Sequence, residues 1–155
     1  MLTPAERLAR QIAVGLPALL LGGAYISQYV FGLHPCELCW WQRYPHFAAL
    51  ALGLLGYVLP RPRVWTALAA GGILASAGIA AFHAGVEWRW WEGLDTCSGT
   101  VGGSGSALDN IMGQSMIRCD EAAWRLFGIS LAGWNFLLSA IGGIAIFALL
   151  LRKRA

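Results

Sequence analysis

The sequence predicts an all-α integral membrane protein, a four-transmembrane-helix bundle with one short and one long loop at the same end. Only 12% of its 155 residues are charged and 57% are hydrophobic, whereas soluble domains carry about 25% charged residues. Four long stretches contain no Asp, Glu, Lys or Arg at all. This composition excludes a disordered chain, a nucleic-acid-binding module and an ordinary water-soluble enzyme, because too few polar residues are present to cover a surface in water. We treat residues 1–155 as a single membrane domain.

Each charge-free stretch is a candidate membrane span, because a spanning helix needs about 20 apolar residues. The second stretch becomes long enough only if it begins near Trp40 and includes one charge, Arg43. The first is interpreted as a retained helix, since no small-residue cleavage site follows it and three more spans do. The predicted helices cover about 12–31, 40–59, 64–85 and 130–151, and the loops at one end cover about 32–39 and 86–129.

The basic residues predict the orientation of the bundle. Four spans place both termini on one side of the membrane, and that side carries seven of the eleven basic residues with a single acid, Glu6. By the positive-inside rule this side is cytoplasmic. All four cysteines then face the opposite side, which in a bacterium is the oxidising periplasm. The seven basic residues are Arg7, Arg10, Arg61, Arg63, Arg152, Lys153 and Arg154.

The cysteines form two pairs with different spacing. Cys36 and Cys39 form a Cys-x-x-Cys motif at the predicted start of the second helix, after Pro35, which suits a helix start. This spacing places both sulfurs on one helical turn, where a reversible disulfide forms and the helix dipole favours a thiolate. Cys97 and Cys119 lie 22 positions apart in the long loop.

Other interpretations of the cysteines follow from the same residues. Two structural disulfides remain possible, although a Cys-x-x-Cys bridge closes too small a loop to stabilise much. A zinc site built from all four cysteines also remains possible, although such sites normally use two short-spaced pairs. A c-type haem is excluded, because Trp40 rather than histidine follows Cys39. We expect no metal.

Arg43 follows Cys39 by four residues and therefore lies about one turn further along the same helical face. A guanidinium there would stabilise a thiolate and could donate hydrogen bonds to a carbonyl oxygen of a lipid-soluble oxidant. The alternative is an interfacial anchor whose charged end reaches towards water.

The long loop has three recognisable parts. Residues 87–92 alternate tryptophan with charge, as expected at a membrane interface. Residues 98–106 are rich in glycine and serine and predict a flexible tether between Cys97 and Cys119. Asp120 is predicted to cap a short helix over 121–127, which Gly128 ends before Ser130 opens the last span.

Residues 35–43 (PCELCWWQR), the Cys97-Ser98-Gly99 site and residues 119–124 (CDEAAW) running into 128–130 (GIS) together resemble the disulfide bond formation protein B family, DsbB. The resemblance covers nearly the whole chain. It implies a quinone-dependent thiol oxidase of the bacterial inner membrane. Such an oxidase passes electrons from a DsbA-like periplasmic thioredoxin-fold partner, through two cysteine pairs, to ubiquinone or menaquinone.

The resemblance also implies a role for each site residue. Cys39 would face the quinone with Arg43 beside it, and Cys36 would relay the disulfide to the loop pair. Cys97 would be attacked by the partner's thiolate, and Cys119 would exchange with Cys36.

His83 roughly matches a histidine near the quinone site of family members, although a lone histidine at a helix end is also a common interface residue. Two alternatives to the oxidase remain. One is a vitamin K epoxide reductase-like quinone reductase, in which the Cys-x-x-Cys motif lies after the loop pair rather than before it. The other is a non-catalytic membrane scaffold or metal carrier, whose cysteines only hold the loops together.

Overall fold

The computed structural model describes residues 2–94 and 118–152. Within these ranges the chain forms four long helices: α1 (Pro4–Tyr29), α2 (Glu37–Val58), α3 (Pro62–Glu87) and α4 (Leu131–Leu151). Three of them, α1, α3 and α4, are long and apolar enough to cross a membrane. Cys97 and the glycine- and serine-rich segment lie outside the described residues.

Helix α1 begins earlier than the charge-free stretch that predicted it. Thr3 caps the helix: its hydroxyl accepts from the Glu6 backbone N–H at 3.2 Å, while the Glu6 carboxylate accepts from the Thr3 N–H at 2.7 Å. This reciprocal capping box and Pro4 in the first turn define the start. The predicted start at residue 12 was therefore too late, because a run without charges marks the apolar part of a helix and not its cap.

Small residues let the helices approach closely. Ala13, Ala49, Ala69 and Ala70 are fully buried where the helices meet. A Cβ atom on Gly72 of α3 would lie 3.1 Å from both the Pro45 carbonyl oxygen and the Ala49 Cβ of α2. In lipid the hydrophobic effect does not drive helices together, so van der Waals contacts between closely packed small residues have to supply the attraction.

Two arginines tie helix ends together at the end of the bundle remote from the cysteines. Arg63 at the start of α3 donates to the Leu150 carbonyl at 2.5 Å and pairs with Glu6 at 3.3 Å. Arg10 donates to the Gly56 carbonyl at 3.3 Å, satisfying a carbonyl in the last turn of α2. These residues therefore act in packing as well as in the charge pattern that predicts orientation.

The segment before α4 differs from its prediction. Instead of a short helix over 121–127, two-residue strands β1 (Arg125–Leu126) and β2 (Ile129–Ser130) pair in antiparallel register. Phe127 and Gly128 join them with φ of 52° and 80°, the left-handed pair of a tight hairpin turn. The predicted helix was wrong because Gly128 completes this turn. Ser130 caps α4 as expected, accepting from the Gly133 N–H at 3.0 Å.

Candidate functional site

Cys36 and Cys39 form the centre of the site at the start of α2. Cys36 is the N-cap residue, and its sulfur accepts from the Cys39 backbone N–H at 3.3 Å. Pro35 therefore precedes the cap and is not the first helical residue. Both cysteines are free thiols, and their sulfurs lie 2.9 Å apart. A small movement of the two sulfurs would form a disulfide.

The two thiols differ in acidity, and both precede the apolar part of α2 that begins near Trp40. The hydrogen bond from the Cys36 thiol lowers the pKa of Cys39, and the charge of Arg43 lowers it further, while burial opposes both. The pKa of Cys36 is raised because its proton is shared with Cys39 and because the sulfur is buried. In the reduced pair Cys39 is therefore the more acidic thiol and loses its proton before Cys36.

Arg43 is buried and held by α1. Its guanidinium donates to the Gln28 side-chain oxygen at 2.6 Å and to the Ala24 carbonyl at 3.3 Å. It also lies 5.0 Å from the centre of the Tyr25 ring and 4.8 Å from that of Trp40. These contacts fix the cation on the side of Cys39 that faces α1.

Two cavities meet at Cys39. The first, which we call the inner cavity, has a volume of about 250 Å³ and lies between α1, α2 and α4, with Cys39 and Arg43 on its wall. The second, the loop-side cavity, has about 340 Å³ and is lined by Cys36, Cys39, His83 and Glu87 among others. Cys39 thus borders both spaces.

His83 lies in the loop-side cavity beside Cys36, while the inner cavity is lined by other residues. Its ring is 3% exposed. Its Nε2 lies 3.6 Å from the Cys36 sulfur and 3.8 Å from a Glu87 carboxylate oxygen. Sequence reasoning missed Glu87, although its spacing of four residues from His83 on one helix was a usable signal.

A buried hydrogen-bond network, also missed from the sequence, orients His83. The amide nitrogen of Gln42 lies 2.8 Å from His83 Nδ1 and 3.1 Å from the Leu38 carbonyl oxygen, while its amide oxygen accepts from Asn135 at 2.8 Å. An amide nitrogen can only donate, so Nδ1 accepts and the ring proton is assigned to Nε2. The imidazole therefore presents an N–H towards Cys36.

The network continues from Asn135 into the bundle. Asn135 donates to Ser76 at 3.2 Å, and its carbonyl oxygen accepts from Ser139 at 2.9 Å and lies 3.0 Å from His46 Nε2. Among the described residues, His46 Nδ1 is buried without a hydrogen-bond partner. The signal for these residues was their position inside stretches without charges, where polar side chains are costly and usually functional.

A soft metal ion is the other ligand that the dithiol could hold. Cys36, Cys39 and His83 present ligand atoms within 4.8 Å of one another. Metal-bound histidine normally donates its second ring nitrogen's N–H to an acceptor, whereas Gln42 donates to that nitrogen here. The network therefore opposes metal binding by His83.

Cys119 lies close to the dithiol. It is 1% exposed and belongs to the same buried cluster as Cys36, Leu38 and Val86, and it is disulfide-bonded. The structure thus brings three of the four predicted cysteines together with His83, while Arg43 lies on the other side of Cys39. Cys97 is beyond the described part of the chain.

These features define a helical membrane protein of the thiol–disulfide oxidoreductase class. A family model described as "Disulfide bond formation protein DsbB" matches residues 6–150. The chain belongs to the DsbB family.

Individual relatives agree with the family assignment. A disulfide bond formation protein B from Dechloromonas aromatica is 33% identical, covering 82% of this chain and 80% of its own. One from Verminephrobacter eiseniae is 31% identical, covering 95% of this chain and 86% of its own. An uncharacterized protein, RP370, from Rickettsia prowazekii is 25% identical over 83% of this chain and 78% of its own. No solved structure matches the chain.

Proposed function

We propose that the protein is a membrane thiol oxidase that reoxidises a DsbA-like thioredoxin-fold protein of the periplasm and passes the electrons to a membrane quinone. The observation that carries this proposal is the position of Cys39, whose sulfur belongs to a reversible pair and borders both cavities. One cavity faces the apolar interior of the bundle, and the other faces the loop that carries Cys119. A group that links a soluble dithiol to a lipid-soluble oxidant needs this double access.

The reaction balances as a transfer of two electrons and two protons. The partner's dithiol is oxidised to a disulfide, and the quinone is reduced to a quinol. We assign Cys97 as the sulfur that the partner attacks and Cys119 as the sulfur that exchanges with Cys36. The shared burial of Cys119 and Cys36 supports direct exchange, because thiol–disulfide exchange requires sulfur to attack sulfur.

The inner cavity is the proposed quinone site. Its volume of about 250 Å³ suits a quinone head group, with the tail remaining in lipid. Arg43 has five N–H donors, and its bonds to α1 engage one on each terminal nitrogen. The remaining donors can bind a carbonyl oxygen and stabilise negative charge as the ring is reduced. Ubiquinone and menaquinone both carry the required carbonyl groups.

The proposed placement is the bacterial inner membrane, with four spans, cytoplasmic termini and periplasmic cysteines. Three helices have the length and composition of spans. Helix α2 packs against both α1 and α3, which supports its role as the fourth span. Its charge, Arg43, is hydrogen-bonded within the bundle rather than left in lipid.

The decisive test is a stopped-flow experiment with purified protein, a reduced thioredoxin-fold partner and a soluble quinone analogue. The wild-type protein should reduce the quinone, and Cys39→Ser should abolish this reduction because the sulfur that meets the oxidant is lost. The matched control is Glu37→Gln, which changes one of the two residues between the cysteines and should retain activity. Quinone reduction by Cys39→Ser at the wild-type rate would contradict the proposal and favour a scaffold.

A further inference from the structure

The imidazole N–H of His83 faces three acceptors: the Cys36 sulfur, the Glu87 carboxylate and the backbone carbonyl of Cys119, which also hydrogen-bonds the ring. Nε2 lies 3.6 Å from the Cys36 sulfur and 3.8 Å from Glu87 Oε1. An N–H···O hydrogen bond spans about 2.7–3.2 Å, so the carboxylate lies too far away. Sulfur is larger than oxygen, and 3.6 Å lies within its hydrogen-bonding reach. Of the two side chains, Cys36 is therefore the acceptor, and it shares the N–H with the backbone carbonyl of Cys119.

A donor at Cys36 has a specific use in thiol–disulfide exchange. Under the proposed function, on which this inference rests, Cys36 forms a transient disulfide with Cys119. When a thiolate attacks Cys119, the Cys36–Cys119 bond breaks and Cys36 leaves with the bonding electron pair as a thiolate. The proton of the attacking thiol goes to water. One S–S bond forms as the other breaks, so the exchange involves no net oxidation or reduction. Exchange is faster when the leaving thiolate is stabilised.

We propose that His83 donates its Nε2–H to the Cys36 sulfur and stabilises it as the leaving thiolate, with Gln42 and Asn135 as positioning residues. Gln42 fixes the tautomer through its bond to Nδ1, and Asn135 fixes the amide of Gln42. This role at the dithiol replaces the quinone contact expected for His83 from the sequence.

Other charged groups around the site act on the same sulfur. Glu87 and Glu121 line the loop-side cavity and disfavour a second negative charge, whereas Arg118 on the same wall favours it. His34 also lines this wall, and Cys39 lies within hydrogen-bonding distance of Cys36. Because the two thiols share a proton, the test removes the Cys39 thiol first.

The experiment measures alkylation of Cys36 by iodoacetamide in the reduced full-length Cys39→Ser protein, quantified on the Cys36 peptide by mass spectrometry between pH 5 and 10. Adding His83→Leu should slow the reaction at pH 7 by about tenfold, since a hydrogen bond to the charged form is lost, and should move the pH midpoint upward. Adding His83→Gln should restore most of the rate, because its amide nitrogen reaches the position of Nε2. Adding Gln42→Leu should also slow the reaction.

Thr66→Val is the matched control and should leave the Cys36 rate unchanged, because it removes a buried hydroxyl of α3 that donates to the Pro62 carbonyl at 2.9 Å, outside the network. Equal rates for His83→Leu and its parent would overturn the proposal. A rate for His83→Gln as slow as that of His83→Leu would also overturn it. So would an equal loss of rate from Thr66→Val, which would indicate general loosening of the bundle. Alkylation needs neither quinone nor partner, so this result and that of the stopped-flow test can fail independently.

Discussion

Cys36 and Cys39 are chemically unequal although they lie only three residues apart at the start of α2. Cys39 lies beyond the cap, receives the hydrogen bond of its neighbour and is closer to the charge of Arg43 along the helix. Cys36 is the cap itself and contacts His83 and the cluster that holds Cys119. Because of this asymmetry, the Cys39 sulfur borders the inner cavity, whereas the Cys36 sulfur lies beside the loop residue Cys119.

The lowered pKa of Cys39 predicts a pH dependence. Only the thiolate is alkylated, and a lowered pKa means that Cys39 stays ionised below the ordinary thiol value of about 8.5. In the reduced protein, alkylation of Cys39 should therefore remain fast as the pH falls through 8 and decline only at lower pH. Mass spectrometry of the two modified sulfurs should show Cys39 reacting before Cys36. Preferential reaction of Cys36 at pH 7 would contradict the assignment.

We expect Arg43 to contribute more to quinone binding than to the stability of the fold. In Arg43→Ala the apparent KM for a soluble quinone should rise by about tenfold or more, because a charged donor to the carbonyl oxygen is lost. Arg43→Lys should recover little, since an ammonium cannot copy the planar fork that binds Gln28 and Ala24. Steady-state quinone reduction measures both variants. The exposed Arg89→Gln is the control and should leave the KM for quinone unchanged. An unchanged KM in Arg43→Ala would contradict the assignment of Arg43 to the quinone site.

At the scale of elements, glycine sets the distance between α2 and α3. Gly72→Leu should destabilise the bundle by about 1–3 kcal/mol, as overpacking usually does, because its Cβ would meet the backbone of α2 at 3.1 Å. Gly71→Leu is the matched control, since a Cβ there meets nothing within 4 Å. Thermal unfolding in detergent should separate the two variants. Equal melting temperatures would contradict the close approach.

The polar network also belongs to this scale, because it joins three helices through side chains. Gln42 of α2 bonds His83 of α3 and Asn135 of α4, and Ser76 of α3 donates to the Gln42 backbone carbonyl at 2.8 Å. Hydrogen bonds between membrane helices specify which faces meet. The same contacts that pack the bundle therefore orient the imidazole at the dithiol.

For the whole molecule, the net charge of +3 conceals opposite charges at the two ends. The proposed cytoplasmic segments hold seven basic residues and one acid, giving +6, and the remainder holds four and seven, giving −3. On a background without native cysteines, a membrane-impermeant maleimide should label Glu92→Cys in intact spheroplasts and label Arg61→Cys only after lysis. Labelling of Arg61→Cys in intact cells would invert the topology.

The sequence alone was sufficient for the membrane class, the family and the Cys-x-x-Cys motif, because composition and local spacing are readable along the chain. It failed for the segment before α4, where a turn at Phe127 and Gly128 competed with a helix. The sequence also failed to predict the hydrogen-bond network. Along the chain, Gln42 lies 41 residues from His83 and 93 residues from Asn135, its two hydrogen-bond partners. No local pattern encodes such distances.

The charge pattern by itself determined that this is a membrane protein, and the motif predicted which residues carry redox chemistry. Only the tertiary structure decided that Cys39 borders two cavities, that Arg43 is anchored to α1 and that His83 contacts Cys36 rather than the inner cavity. The physical reason is that thiol acidity and hydrogen-bond direction depend on atoms within a few ångströms. In this bundle those atoms come from four different helices.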